Sequence, residues 1–178
     1  MGSLMRYFRK TLNSFTHPPV FVVDSKRKLD FESRLGISGN KIRVGLSWRS
    51  GKITENRALN YINILKLAPI FAIENIQWVS LQYGDCEAEC LAAEKEFGIK
   101  IERWDDLDLK NDLDGVFALI ETLDLVITAA TTVSSMAPLV GKQTLMFQKD
   151  YDWTTFGQDE DPWFDCLHRI RAKSENIE

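Results

Sequence analysis

Hydrophobic positions change their spacing near residue 40 of the chain. Before that point, large apolar residues recur at the three- and four-residue intervals of one helical face. These residues are Leu4, Phe8, Leu12 and Phe15. A second short helix is predicted over residues 28–35, with Gly36 closing it. The spacing therefore predicts a helical appendage or linker over residues 1–40 and one main domain over residues 41–178.

From residue 41 onward, short apolar runs alternate with amphipathic stretches, which predicts strands alternating with helices. The predicted strands cover residues 42–48, 76–81, 99–101, 125–128 and 144–147. The predicted helices cover residues 59–71, 86–97, 113–120 and 132–140. Such alternation favours an α/β fold with a parallel sheet and right-handed crossovers. We therefore predict a Rossmann-like, doubly wound sheet of about five strands in the order 3-2-1-4-5.

In this order the direction of winding reverses between the first and fourth strands. The loops that follow these two strands, at residues 48–54 and 128–132, then open into one crevice. Ligands of open α/β sheets bind at such a crevice. The sequence thus predicts a binding site there before any single residue is considered.

The loop after the fourth strand carries hydroxyl groups where the next helix begins. Thr131, Thr132, Val133 and Ser135 stand at that junction. Unpaired N–H groups and the positive end of the helix dipole favour a phosphate there. The alternative is that Thr131 or Thr132 is simply the N-cap of the helix.

The facing loop carries Arg49, Ser50 and Lys52, and the two basic side chains suit the charge of a phosphate. Exposed loops commonly carry basic residues, so this prediction depends on convergence with Thr131 and Thr132. Gln82, after the second strand, suits a hydrogen bond to a ribose or base. Its alternative is an exposed glutamine with no role in a site.

Composition narrows the classes of function. With 22 Lys and Arg against 26 Asp and Glu, the net charge of -4 disfavours a nucleic-acid partner. No apolar run approaches the roughly 20 residues that span a bilayer, and no signal-peptide pattern is present, so a cytoplasmic protein is expected. Cys86 and Cys90 lie one helical turn apart; free thiols are expected rather than a metal site.

Familiar catalytic motifs are absent from the sequence. It contains no G-x-G-x-x-G, no G-x-x-x-x-G-K-[ST] and no G-x-S-x-G. These absences disfavour a dinucleotide-dependent oxidoreductase, a P-loop nucleotidase and a serine hydrolase. A nucleoside diphosphate held by hydroxyl and basic side chains remains as the favoured ligand.

Several segments, taken in order, resemble one known family. They are VGLSWRSG at 44–51, VSLQYG at 79–84, LDLVIT at 123–128, TTV at 131–133, GK at 141–142, YDW at 151–153 and DPWF at 161–164. Together they are similar to the C-terminal domain of bacterial GT-B glycosyltransferases associated with tetratricopeptide repeats. Those enzymes in turn resemble heptosyltransferases and O-linked N-acetylglucosamine transferases. The resemblance covers residues 41–164, most of the chain.

The resemblance implies one half of a GT-B fold, with a nucleoside-diphosphate sugar as donor substrate and neither cofactor nor bound metal. The transferred group would be a hexosyl or heptosyl unit. The acceptor domain, which usually supplies the catalytic base, would lie in a missing segment or in a partner chain. The chain would then be a fragment or a single-domain relative, and no catalytic residue is assigned within it.

Two residues depart from the D-T-x-x-A-H pattern common in this family: Ala130 stands in the Asp position and Ser135 in the His position. Two functions therefore remain open. The first is a nucleotide-sugar-binding domain that transfers sugar together with an acceptor domain. The second is a non-catalytic interaction module that keeps the half-fold, with the N-terminal apolar face covering the domain or joining a homodimer. The favoured alternative for that face is an ordinary core helix. An enzyme that acts on nucleotides without sugar transfer is a third, less supported alternative.

Overall fold

A computed structural model describes residues 4–15, 19, 21–51, 60–149 and 153–171. Within these residues, six parallel strands form one sheet in the order β3-β2-β1-β4-β5-β6. The strands are β1 Ile42–Ser47, β2 Ile76–Ser80, β3 Ile101–Glu102, β4 Leu125–Ala129, β5 Gln143–Gln148 and β6 Leu167–Arg171. The predicted Rossmann-like fold and its strand order are therefore confirmed.

The described helices lie between these strands or before the first of them. They are α1 Met5–Phe8, α2 Ser25–Leu35, α3 Ala68–Phe71, α4 Glu87–Phe97, α5 Leu113–Glu121 and α6 Val133–Leu139. Short 3-10 helices cover Leu12–Ser14, Ile64–Leu67 and Trp153–Thr155. Helix α4 ends at Gly98, which takes the left-handed conformation (φ 65°) that favours glycine.

The helix predicted over residues 59–71 is shorter in the structure. The chain there forms a 3-10 helix capped by the Asn63 side chain and then the four-residue α3. Pro69 explains the interruption, because it lacks an N–H and fits only the first turn of a helix. The first residue of the predicted helix lies outside the described residues.

Strand β6 was absent from the sequence-based prediction. It pairs with β5 at the edge of the sheet, from Leu167 opposite Thr144 to Arg171 opposite Gln148. Only Leu167 and Ile170 are apolar in its five residues, so it lacks the continuous apolar run of a doubly covered strand. An edge strand can carry charged residues that a central strand cannot.

Two apolar layers cover the two faces of the sheet. On one face, α2, α5 and α6 pack over the strands with side chains such as Phe31, Val79 and Ile120. On the other face, α4 and the segment 64–71 pack against Trp48 and Trp78. Both layers end at the carboxyl edge of the sheet, and the loops that follow β1, β2 and β4 lie there.

Helix α2 is packed into the domain rather than standing ahead of it. Phe31 and Leu35 are 3% and 7% exposed and belong to the core of the first face. Arg34 donates to Asp106 at 2.6 Å, and its guanidinium lies 5.3 Å from the Phe31 ring centroid. The hydrophobic spacing thus changes near residue 40 because helices give way to alternating strands and helices. Helix α2, which lies before that point, still packs into the core of the domain.

The N-terminal apolar residues do not form the single helix that their spacing predicts. Leu4, Phe8 and Leu12 are 58%, 69% and 44% exposed, so an ordinary core helix is the wrong interpretation for them. Phe15 alone is buried, with its ring 4.9 Å from that of Trp163. No helix in the described parts of the chain is both long and apolar enough to cross a membrane.

Replacement of Phe31 by alanine tests the packing of α2. We expect Phe31→Ala to lower the free energy of unfolding by about 3–5 kcal/mol, because a buried ring is lost from the core. Leu29→Ala in the same helix is the control, with an expected change within about 0.5 kcal/mol, since Leu29 is 63% exposed. Urea denaturation measures both. If both substitutions change the free energy of unfolding by the same small amount, α2 is an appendage that does not pack into the core.

Candidate nucleotide-binding crevice

The loops after β1 and β4 meet at the carboxyl edge of the sheet, where the strand order predicts a crevice. Ser50 from the first loop and Thr131 and Thr132 from the second line one cavity of about 320 Å³. Ala130 and Tyr83 also line it. A second cavity of about 450 Å³ shares Ala130 and Thr131 with the first. The two cavities therefore form adjoining parts of one cleft.

Hydroxyl groups define the β4 side of the cleft. Thr132 occupies the N-cap position of α6, but its exposed hydroxyl makes no capping hydrogen bond. The Thr131 carbonyl instead accepts from the Ser134 N–H at 3.1 Å and from the Ser134 hydroxyl at 2.7 Å. No described residue accepts a hydrogen bond from the N–H of Thr132 or Val133. These donors and the Thr132 hydroxyl remain available to a ligand.

Val133 and Ser135 occupy different environments in the first turn of α6. The Val133 side chain is 4% exposed and packs into the core, so only its N–H can contribute to a site. Ser135 is exposed and lines the larger cavity. Both residues thus stand at the cleft, Val133 through its backbone and Ser135 through its side chain.

On the facing side, Ser50 and Tyr83 join the loops after β1 and β2. Their hydroxyl oxygens are 2.5 Å apart. The ring of Tyr83 lies so close to Gly51 that an added Cβ would stand 2.9 Å from it. Glycine at position 51 therefore permits this approach, which places the Tyr83 ring in the wall of the cleft.

Gln82 is a buried bridge between these loops, a role that neither sequence-based alternative anticipated. Its side chain is 2% exposed. The amide oxygen accepts from the N–H groups of Trp48 and Arg49, both at 3.0 Å. The amide nitrogen donates to the carbonyls of Arg49 at 2.8 Å and Tyr83 at 3.0 Å. Both amide hydrogens are thus used inside the protein, and a ribose or base contact would require breaking a bond.

Arg49 is directed toward α4 by an ion pair with Glu89. Its Nε donates to Glu89 at 2.9 Å and its Nη2 donates to the Asp85 carbonyl at 2.7 Å. The Arg49 side chain is 15% exposed. The hydrogen bond to Glu89 raises the pKa of Arg49. Burial raises the pKa of Glu89, but hydrogen bonds from Arg49 and Trp48 outweigh it and hold that pKa below its ordinary value.

The remaining basic residue of the prediction, Lys52, lies outside the described residues. Of the predicted site residues, the structure therefore brings Ser50, Thr131, Thr132 and Ser135 to the cleft by their side chains. Arg49 is near it but engaged with Glu89. Within the described residues, no cluster of side chains that could hold a metal ion is found.

A buried ion pair forms the far wall of the larger cavity. Arg169 donates to Asp161 at 2.5 Å, and these side chains are 5% and 1% exposed. Asp161 also accepts from the N–H groups of Trp163 at 2.8 Å and Phe164 at 3.0 Å. The sequence singled out residues 161–164 only by resemblance, because the partner Arg169 lies on the unpredicted β6. The pair fixes the segment that closes the cleft on this side.

Comparison with solved structures identifies the class of fold. The chain matches the E. coli ADP-heptose LPS heptosyltransferase II with a TM-score of 0.61 at 15% identity, over 94% of this chain and 50% of that one. A family 9 glycosyl transferase from Veillonella parvula matches with a TM-score of 0.60 at 12% identity, over 90% and 44%. E. coli heptosyltransferase WaaC, solved with ADP-2-deoxy-2-fluoro heptose, matches with a TM-score of 0.52 at 14% identity, over 82% and 41%. The chain therefore has a glycosyltransferase-like fold.

Among characterised sequences, Protein FlbA of Caulobacter vibrioides is 32% identical to this chain over 165 residues. That match covers 92% of this chain but 28% of FlbA. The chain thus spans about half, or less, of the proteins that it matches. No family model matches the chain.

The bridging role of Gln82 can be tested by replacing its amide with an apolar side chain. We expect Gln82→Leu to lower the free energy of unfolding by about 2 kcal/mol or more, because buried N–H and carbonyl groups lose their partners. The exposed Gln143 provides the control Gln143→Leu, for which little change is expected. Chemical denaturation compares the two. A Gln82→Leu protein as stable as the wild type would contradict the bridge.

The Asp161–Arg169 pair predicts a second large effect. Asp161→Asn leaves the buried guanidinium without a carboxylate, for which a loss of about 3–5 kcal/mol is expected. Asp165→Asn changes the same charge four residues away on an exposed side chain and should be nearly neutral. Thermal unfolding of both variants measures the difference. Similar melting temperatures would show that the pair is dispensable.

Proposed function

We propose that this chain is the nucleotide-sugar-binding part of a glycosyltransferase, equivalent to the C-terminal half of a GT-B enzyme. The observation that carries the proposal is the cleft where the winding of the sheet reverses. It combines unpaired N–H groups with the hydroxyls of Thr131, Thr132 and Ser50. Ligands of α/β sheets bind at this position. The chain shares its fold with a heptosyltransferase that is solved with a nucleotide sugar analogue.

In this proposal the diphosphate lies against the first turn of α6. The N–H of Val133 and the hydroxyls of Thr131 and Thr132 donate to its oxygens. Ser50 contacts it from the facing loop. Arg49 and Lys52 supply positive charge that stabilises the departing diphosphate. For this role, the Arg49 guanidinium has to leave the Glu89 carboxylate and pair with the phosphate instead.

The chemistry of transfer needs more than this cleft. We place the acceptor and the catalytic base in a further domain, on another segment or on a partner chain. The support is that the matched glycosyltransferases are about twice as long as the region they share with this chain. The association with tetratricopeptide repeats and a cytoplasmic location belong to the same proposal. Transfer itself would use neither a metal nor a cofactor.

A specific observation favours a second candidate function, a non-catalytic interaction module. Arg49 is paired inside the protein, and positions 130 and 135 carry alanine and serine at the cleft. The cleft therefore offers hydroxyls but little free charge to a diphosphate. Under this candidate the half-fold persists without donor binding.

A thermal-shift screen with UDP, GDP, ADP and CDP, with and without attached sugars, separates the two candidates. At a hundredfold excess over Kd, a ligand adds about 2.7 kcal/mol to the stability of the protein, which raises Tm by several degrees. We expect a selective shift for one base. No shift with any nucleotide at millimolar concentration would exclude donor binding and leave the interaction module.

A variant pair then locates the site. Thr132→Val keeps the shape of an exposed side chain but removes its hydroxyl, so nucleotide affinity should fall about tenfold or more. Thr11→Val makes the same substitution at an exposed position that lines neither cavity and should leave affinity unchanged. Isothermal titration measures both Kd values. Equal affinities in the two variants would move the diphosphate away from α6.

A further inference from the structure

Two thiols lie one helical turn apart where α4 begins. Cys86 is the N-cap residue of α4, and its carbonyl accepts from the Cys90 N–H at 3.0 Å. Cys86 is half-buried, whereas Cys90 is 0% exposed. A small oxidant can therefore reach the first thiol, while the second lies behind it in the core. Cys166, the third free cysteine, is buried elsewhere.

The surroundings of Cys86 activate its thiol. In its protonated form, the Cys86 thiol donates from Sγ to the Gln82 carbonyl at 3.6 Å. A hydrogen bond from Cys90 lowers the pKa of Cys86 to about 7; burial opposes this, while Ser80 and the Arg49 charge support it. A substantial fraction is then thiolate at neutral pH, and the thiolate is the form that attacks peroxides. The same hydrogen bond and burial raise the pKa of Cys90, which stays protonated.

These two thiols can join only if the first turn of α4 changes shape. Side chains four residues apart on a helix have Cβ atoms about 5–6 Å apart, and a disulfide requires about 3.5–4.5 Å. Closing the bond therefore requires the first turn of α4 to tighten. Cys86 has non-helical backbone angles (φ -135°, ψ 8°), so the turn can adjust at that end.

Glu89 lies within this turn and holds two groups of the cleft wall. It accepts from Arg49 at 2.9 Å and from the Trp48 indole nitrogen at 3.1 Å. A change in the shape of this turn therefore acts on the residue that holds Arg49. Cys86, Glu89 and Cys90 thus belong to one turn, and Glu89 connects that turn to the loop that carries Arg49.

We propose that Cys86 and Cys90 are a redox-active pair, which hydrogen peroxide converts to a disulfide within α4, and that closure loosens the Glu89–Arg49 ion pair. The inference goes beyond nucleotide binding and does not depend on it. The Cys86 thiolate attacks one peroxide oxygen and keeps it as a sulfenic acid. The other oxygen leaves as hydroxide, which takes up the proton that the Cys86 thiol lost on ionisation and becomes water. The Cys90 thiol then attacks the Cys86 sulfur, the S–S bond forms and a second water leaves. Two thiols are oxidised and one peroxide is reduced.

Peptide mapping tests the disulfide directly. Trypsin leaves both cysteines in the peptide 67–95 and places Cys166 in the peptide 150–169. After treatment of the intact protein with peroxide, the first peptide should lose the mass of two hydrogen atoms and recover it with dithiothreitol. The second should stay reduced. A first peptide that only gains oxygen, or that stays reduced while Cys166 reacts, would overturn the pair.

Variants separate the two thiols. Cys90→Ser and Cys90→Ala should stop at the sulfenic acid on Cys86, which dimedone traps as an adduct. Cys166→Ser is the matched control and should still close the disulfide. Because Cys90 is buried, its replacement can destabilise the protein. If neither Cys90 variant folds, the peptide map of the wild-type protein alone tests whether the disulfide forms. A folded Cys90 variant in which dimedone does not label Cys86 would contradict attack by Cys86.

The coupling to Arg49 has its own readout. In the reduced protein, Glu89→Gln should lower Tm by several degrees, and in the oxidised protein by less than half as much. Glu94→Gln is the control, because Glu94 pairs with Arg103 at 2.8 Å further along α4; its effect on Tm should be the same in both states. If Glu89→Gln lowers Tm equally in the reduced and the oxidised protein, the disulfide leaves the ion pair intact.

Discussion

The buried amide of Gln82 is the contact on which the carboxyl edge of this sheet depends. A chain that leaves a parallel strand exposes N–H and carbonyl groups that the ladder no longer satisfies, and each costs about 1–3 kcal/mol if buried without a partner. Gln82 pairs with four such groups from the loops after β1 and β2. One side chain therefore fixes where both loops run. The positions of Arg49, Ser50 and Tyr83 follow from this constraint.

The fixed loop determines how charge is distributed around the cleft. With the Arg49 backbone held by Gln82, its side chain reaches Glu89 and the Asp85 carbonyl on the α4 side. Ser50 turns the other way and meets the Tyr83 hydroxyl at 2.5 Å. The cleft wall is thus rich in hydroxyls, while Arg49 and the cavity-lining Arg169 are both paired with carboxylates inside the protein. An anion entering the cleft must compete with Glu89 for Arg49, and the outcome depends on the relative strength of two charge-assisted contacts.

The sequence predicts the architecture well because periodicity and strand order are local or topological properties. Alternating apolar and amphipathic runs locate five of the strands, and the winding rule places the crevice between β1 and β4. Neither Gln82 nor the Arg49–Glu89 pair follows from such patterns, because their partners lie 33 to 40 residues away along the chain. The prediction of one N-terminal helix was wrong for a related reason, because burial also depends on contacts with residues far away along the chain. Helical spacing of Leu4, Phe8 and Leu12 says nothing about whether a surface exists to cover them.

The positions where the resemblance expected aspartate and histidine do face the cleft. Ala130 lines both cavities, and Ser135 lines the larger one. Neither side chain supports the core layers, so these substitutions can alter the chemistry of the site while leaving the fold intact. A glycosyltransferase-like fold is therefore compatible with either proposed function. What discriminates them is whether backbone N–H groups and hydroxyls bind a diphosphate without a fixed charge beside it. That depends on whether Arg49 exchanges Glu89, which lies in the first turn of α4, for the ligand.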